Sequence, residues 1–134
     1  MQKIASLMIC ACLLSGSAWA LDPVRHEKVE LAQGAPIKKL SGKIKGYAMV
    51  EYSIAAPAGS RLSIKLNSAN TSAYFNLGLD GADEALFVGS RDGNSYQGDI
   101  AAPGRYKVQV YLMRNAARKN QTASYVLEIG ATGT

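Results

Sequence analysis

The sequence predicts an all-β protein, a two-sheet antiparallel β-sandwich of about eight short strands. Three observations predict it. Apolar and polar residues alternate along much of the chain, and after residue 20 no segment keeps a helical period for three turns. Tyrosine, present seven times, dominates the aromatic residues and favours half-buried pleated surfaces. Thirteen glycines supply the tight turns that many short strands need. A length of 134 residues allows one core-bearing domain, and is too short for a cofactor domain plus a substrate domain.

Residues 1–20 read as a secretory signal peptide. Met1-Gln2-Lys3 is a short basic start, Ile4 to Leu14 is an apolar run, and Ser15-Gly16-Ser17 leads into Ala18-Trp19-Ala20, a small-x-small cleavage pattern. The apolar run is about half the roughly 20 residues that a membrane-spanning helix requires. Cleavage after Ala20 leaves residues 21–134 as a single exported domain, periplasmic in a Gram-negative cell. It also removes Lys3, Cys10, Cys12 and Trp19. The full chain has 15 basic and 10 acidic residues, so the mature chain keeps 14 and 10, a net charge of +4. No disulfide, thiol nucleophile or cysteine metal ligand is then available.

Along the mature chain, Lys28 to Ala32 and Leu40 to Lys45 are the weaker strand candidates. Val50, Tyr52 and Ile54 share one face against Glu51 and Ser53, and Leu62, Ile64 and Leu66 repeat the pattern against Arg61, Ser63 and Lys65. Ala56-Pro57-Ala58-Gly59 between them is a turn, so the two runs are expected to form a hairpin. Phe75, Leu77 and Leu79 form a further strand before Asp80-Gly81. Gly78 to Ser95, rich in Gly, Asp, Asn and Ser, is expected as a long loop around one strand, Ala85 to Val88. Tyr96 to Ile100 is a short strand closed by Ala101-Ala102-Pro103-Gly104. Tyr106, Val108, Val110 and Leu112 alternate with Arg105, Lys107, Gln109 and Tyr111, and Tyr125, Leu127 and Ile129 mark the last strand. Gly130 to Thr134 has no apolar pattern and is expected to fray.

Catalytic chemistry is poorly supplied. The single His26 is flanked by Arg25, Glu27 and Lys28, the setting of a solvated edge residue, and without a second His or any Cys no nucleophile–base pair assembles. Asp80, Asp83, Glu84, Asp92 and Asp99 are the carboxylates from which a glycosidase-like pair would be drawn. All but Asp99 lie in the Gly-rich stretch, where acids are ordinarily solvated. Asp80-Gly81-Ala82-Asp83-Glu84 and Asp92-Gly93-Asn94 offer oxygen ligands for calcium, but neither matches a twelve-residue calcium loop. We therefore expect no catalytic residue, metal or cofactor. The basic residues are spread across strands without a nucleic-acid-binding motif, and no amphipathic basic helix addresses a membrane.

Two segments remain. Met113 to Thr122 joins two strands, holds Arg114, Arg118 and Lys119, and contains no acid. It is longer than the two to about five residues usual for a hairpin loop. If a helical turn forms, Arg114 and Arg118 stand at i and i+4 on one face, where two guanidinium forks read a carboxylate or phosphate. The plain alternative is a solvated basic loop. In Ser41-Gly42-Lys43-Ile44-Lys45-Gly46-Tyr47 the two glycines predict a strand that ends in a sharp turn. Tyr47 on that turn either caps the core or stands exposed as a binding anchor.

In these two segments, the second read as Arg114-Asn115-Ala116-Ala117-Arg118-Lys119-Asn120-Gln121-Thr122 followed by Tyr125, the chain resembles the bacterial periplasmic inhibitors of goose-type (g-type) lysozyme. Gly59 with its turn and Gly104-Arg105-Tyr106 lie in family-like positions, and the resemblance spans Leu40 to Ile129. The stretch from Gly78 to Ser95 matches poorly, and the Gly/Thr tail departs from the pattern. The resemblance implies a β-sandwich similar to the C-terminal domains of secreted peptidases, and inhibition by insertion into the lysozyme's substrate cleft. It also implies that g-type lysozyme is the protein partner. The site residues it implies are Tyr47, Arg114 and Arg118, with Asn115 holding the loop. The rival readings are a carbohydrate- or peptidoglycan-binding module and a small glycosidase using the loop carboxylates.

Overall fold

Strands whose every second residue is apolar bury one face each, and two such sheets close a core between them. The computed structural model describes residues 24–32, 36–100 and 104–132. The expected signal peptide, residues 1–20, and residues 101–103 of the expected turn lie outside them. Among the described residues nine strands are found: β1 (Val24–Glu30), β2 (Lys38–Lys45), β3 (Met49–Ala55), β4 (Arg61–Ser68), β5 (Ala73–Leu79), β6 (Ala85–Val88), β7 (Ser95–Asp99), β8 (Arg105–Leu112) and β9 (Thr122–Thr132). Two short helices join them, α1 (Gly89–Asp92) and α2 (Arg114–Arg118). One sheet has five strands in the order β1-β3-β8-β5-β6, and the other has four in the order β2-β9-β4-β7.

The core is the set the alternation named. Val50, Tyr52 and Ile54 of β3 and Val108 and Val110 of β8 face Leu62 and Ile64 of β4 and Leu127 and Ile129 of β9, all nearly inaccessible to water. Each such side chain contributes ~1.5–3 kcal/mol by leaving water. One polar contact crosses this core: the hydroxyls of Tyr52 and Tyr125 lie 2.7 Å apart, each supplying the other's partner.

Four expectations need correction or refinement. First, β3 and β4 do not form a hairpin: β3 pairs with β1 and β8, and β4 pairs with β7 and β9. The chain between them arches over one end of the sandwich, and its own Ala56 and Ser60 are buried. There Gly59 N–H donates to the Ile100 carbonyl at 2.8 Å, and Ile100 N–H donates to the Ser60 carbonyl at 2.8 Å. Alternation looks the same in a hairpin and in an arch, because both leave every second residue facing the core. Second, the expected two-sheet antiparallel sandwich is found with one refinement: β1 runs parallel to β3. Between them the chain crosses to the other sheet as β2, which is what lets two strands return in the same direction.

Third, the chain does not fray at Gly130; residues 133–134 of the tail expected to fray lie outside the described residues. β9 continues to Thr132, with Ala131 opposite Leu62 and Thr132 opposite Arg61. The ladder to β4 holds this segment by backbone hydrogen bonds, which need no apolar pattern. Fourth, the Gly78–Ser95 stretch holds β6 as expected but also the turn of helix α1. Gly89 packs there directly on the Phe75 backbone with no room for a side chain.

Candidate functional site

The two segments singled out by sequence meet at one end of the sandwich. β2 ends at Lys45, and the chain turns through Gly46-Tyr47-Ala48 into β3 of the other sheet, with Ala48 N–H donating to the Lys45 carbonyl at 3.1 Å. Gly46 has φ +62°, a left-handed backbone that side-chain-bearing residues adopt at a cost. Its N–H donates to the Gln121 carbonyl at 2.9 Å, and a β-carbon built on it would lie 2.7 Å from Asn120 Oδ1. The Tyr47 turn is thus seated against the far end of the arginine-bearing loop. Upstream, Gly42 has the Tyr125 ring lying where its side chain would be, so Gly42 is required by close approach.

The helical turn forms. α2 buries Ala116 and Ala117, 2% and 3% exposed, and this anchors the loop while Arg114, Asn115, Arg118 and Lys119 face outward. Its C-terminus closes as a Schellman motif: Gln121 N–H donates to the Ala116 carbonyl at 3.1 Å, and Asn120 N–H to the Ala117 carbonyl at 2.9 Å. Asn120, with φ +57°, takes the left-handed position. At the other end Met113 N–H donates to the Ser72 carbonyl at 2.9 Å.

The chain's six arginines all lie among the described residues, and four of them are paired with a carboxylate: Arg25 with Glu27, Arg61 with Asp99, Arg91 with Asp92 and Arg105 with Glu30. Arg114 and Arg118 are the two without an acid among the described residues. Arg118 is oriented by Asn115, whose Oδ1 accepts from its guanidinium at 3.1 Å. This is a bond between side chains, not one from Asn115 to the loop backbone. The side chains of Arg114 and Lys119 make no hydrogen bond or ion pair among the described residues. Tyr47 is 50% exposed, and so it is a projecting side chain and not a core cap. Met113, 39% exposed, adds apolar surface beside Arg114.

The groups that the rival readings would use are placed as follows among the described residues. His26 is 69% exposed, with Nδ1 3.4 Å from Glu51. Asp80 pairs with Lys107 and Asp99 with Arg61. The Arg91 guanidinium beside Asp92 holds that carboxyl below the usual carboxylate range. Among the described residues no group of three His, Cys, Asp or Glu side chains is placed to hold a metal ion.

Sequence reasoning missed Asn120, Met113 and Asn70. An Asn just past a basic helix end is the signature of a left-handed cap, so Asn120 had a readable signal. Asn70 sits between Ser68 and Ser72, which marks a turn but says nothing of a distant contact.

No family model matches the chain. Over 129 residues, 96% of each protein, it is 26% identical to the inhibitor of g-type lysozyme of Escherichia coli. Among solved structures it resembles PliG of Aeromonas hydrophila, a periplasmic lysozyme inhibitor of g-type lysozyme. The identity there is 30%, the TM-score is 0.67, and the match covers 81% of this chain and 99% of that one. The pre-peptidase C-terminal domain of a Bacillus anthracis collagenase has a TM-score of 0.57 at 17% identity, covering 81% of this chain and 96% of that domain, a likeness of fold alone.

Proposed function

The chain belongs to the family of periplasmic inhibitors of g-type lysozyme, and we propose that it blocks such a lysozyme by inserting Arg114, Arg118 and Tyr47 into the substrate cleft. The observation that carries this reading is that these two arginines, of the chain's six, face outward with no carboxylate partner among the described residues. A lysozyme cleft is a groove for a polar sugar polymer with at least one working carboxyl group. A guanidinium entering it forms a charge-assisted hydrogen bond with that acid where water is partly excluded. Breaking such a pair costs ~2–5 kcal/mol, because one charge stays behind buried and alone.

Asn115 fixes one guanidinium in advance, which lowers the entropy lost on docking. The Tyr47 ring adds contact area and a hydroxyl, the composition typical of an interface hot spot. The protein itself catalyses nothing in this reading. Residues 1–20 act as the export signal, and the mature chain from Leu21 works in the periplasm, shielding peptidoglycan from muramidase.

Purified mature protein mixed with cell walls and, separately, with goose-type lysozyme separates the readings. Inhibition of the enzyme without sedimentation on peptidoglycan supports the inhibitor. Sedimentation without inhibition makes the protein a glycan-binding module, and release of muropeptides by the protein alone makes it a glycosidase.

A further inference from the structure

The arginine-bearing loop is tied down at both ends by a segment from elsewhere in the chain, the link between β4 and β5. Its start hangs on Ser72, whose carbonyl accepts from Met113 N–H at 2.9 Å. Its end hangs on Asn70. The Asn70 side-chain amide donates to Gln121 Oε1 at 3.2 Å and to the Thr122 carbonyl at 3.1 Å, which accounts for both of its hydrogens. The same side chain accepts on Oδ1 from Ser72 N–H at 2.9 Å, and its own backbone N–H donates to Ser68 Oγ at 3.1 Å. Ser68 Oγ in turn donates to the Ser124 carbonyl at 2.8 Å. One asparagine therefore shapes the β4–β5 link and carries that shape across to the C-terminal foot of α2.

α2 needs such help. It spans five residues, too short to persist as an isolated helix, and no side chain caps its N-terminus. Its first turn holds no acid. Ala116 and Ala117 fix its buried side, and the Schellman bonds close its end at Gln121, the residue that Asn70 grips. Gln121 also accepts from Gly46, so the grip reaches the Tyr47 turn as well.

We infer that Asn70 is a positioning residue for inhibition, bracing the α2 loop so that Arg114 and Arg118 are presented in their docking arrangement before lysozyme arrives. This rests on reading that loop as the inhibitory element. A brace acts on the free protein. If it is lost, the docking-competent arrangement becomes a fraction of the population, and the apparent affinity falls by that fraction. The loss is seen in association, because once docked the loop is held by the enzyme.

Asn70→Ser tests this, since a serine oxygen still serves the turn at Ser72 but cannot reach Gln121 or Thr122. Asn70→Ala removes turn and brace together. For both variants we expect a folded protein whose melting temperature falls by several degrees at most, with Asn70→Ala the lower, amide exchange at Asn120 and Gln121 about ten-fold faster in the free protein, association with goose-type lysozyme about ten-fold slower, and unchanged dissociation. The inference is overturned if exchange at these amides stays at the wild-type rate, or if Asn70→Ser associates like wild type while Asn70→Ala does not. It is equally overturned if dissociation accelerates instead, which would make Asn70 a direct contact. Arg114→Ala, run alongside, isolates the underlying reading: full inhibition by that variant removes the loop from the mechanism, whatever Asn70 does to exchange.

Discussion

The backbone N–H of Gly46 donates to the carbonyl of Gln121 at 2.9 Å, and this bond joins two surface features that are far apart in sequence. Tyr47 follows Gly46, and Gln121 ends the loop that carries Arg114 and Arg118. β2 and β9 pair in register up to Lys45 opposite Thr122, so the sheet itself delivers the turn to the loop. The phenol and the guanidinium groups are thus held by one hydrogen-bonded rim, and the rim is extended by Asn120, whose Oδ1 occupies the space a Gly46 side chain would take.

Gly46→Ala should disturb both halves of this rim. The alanine meets a left-handed backbone and the Asn120 side chain at once, for a stability cost of ~1–3 kcal/mol. Chemical denaturation gives the loss, and inhibition should weaken with it because the loop end must shift. An unchanged denaturation midpoint would mean the turn relaxes freely.

Arg114→Ala and Arg118→Ala should each weaken inhibition by about ten-fold or more and leave the circular dichroism spectrum unaltered. Both side chains are exposed and carry little of the core, so a stability change beyond ~0.5 kcal/mol is not expected. Inhibition constants for the two variants check this.

Tyr47→Ala separates anchor from core. With half its surface in water, the side chain should cost little stability on removal, while inhibition drops as expected for a hot-spot aromatic losing ~2 kcal/mol or more. Thermal melting beside an inhibition assay reads both quantities. A large fall in melting temperature would return Tyr47 to the core.

Tyr52 and Tyr125 form the polar contact inside the sandwich, and removing one leaves the other's hydroxyl buried without its partner. Tyr52→Phe should cost ~1–3 kcal/mol, while Tyr52→Phe with Tyr125→Phe should be much closer to neutral. Burial pushes both phenols above the ordinary tyrosine value of 10.0. The unfolded chain therefore releases these protons first, so their contribution is intact below pH 10.0 and is lost as pH climbs above it. Denaturation curves on either side of that pH should show the decline in the native protein and a shallower one in the double variant.

The strands were legible because burial on one face forces a period of two, and Val50 to Ile54, Leu62 to Leu66 and Tyr106 to Leu112 follow it without exception. Which strand pairs with which was not legible. Pro57 and Gly59 signal a reversal of direction, but the choice between a hairpin and an arch is made by the partners waiting in each sheet, β8 for one run and β9 for the other. Gly130 and Ala131 misled for a related reason: a strand end paired with a neighbour, here β4, is held by its backbone, which composition does not report. At the site, Arg114 and Arg118 could be placed on one face by spacing, and the two glycines of the first segment announced the turn at Tyr47. Asn70 could not be found, because its role depends on Gln121 and Thr122, residues that local pattern does not connect to it.

The most direct measurement is a titration of goose-type lysozyme with the purified mature protein, following cell-wall lysis, with chicken-type lysozyme titrated in parallel. A cationic loop fitted to the goose-type cleft predicts that goose-type activity is abolished near equimolar protein while chicken-type activity persists. Goose-type lysozyme that stays fully active at a large molar excess would contradict the account.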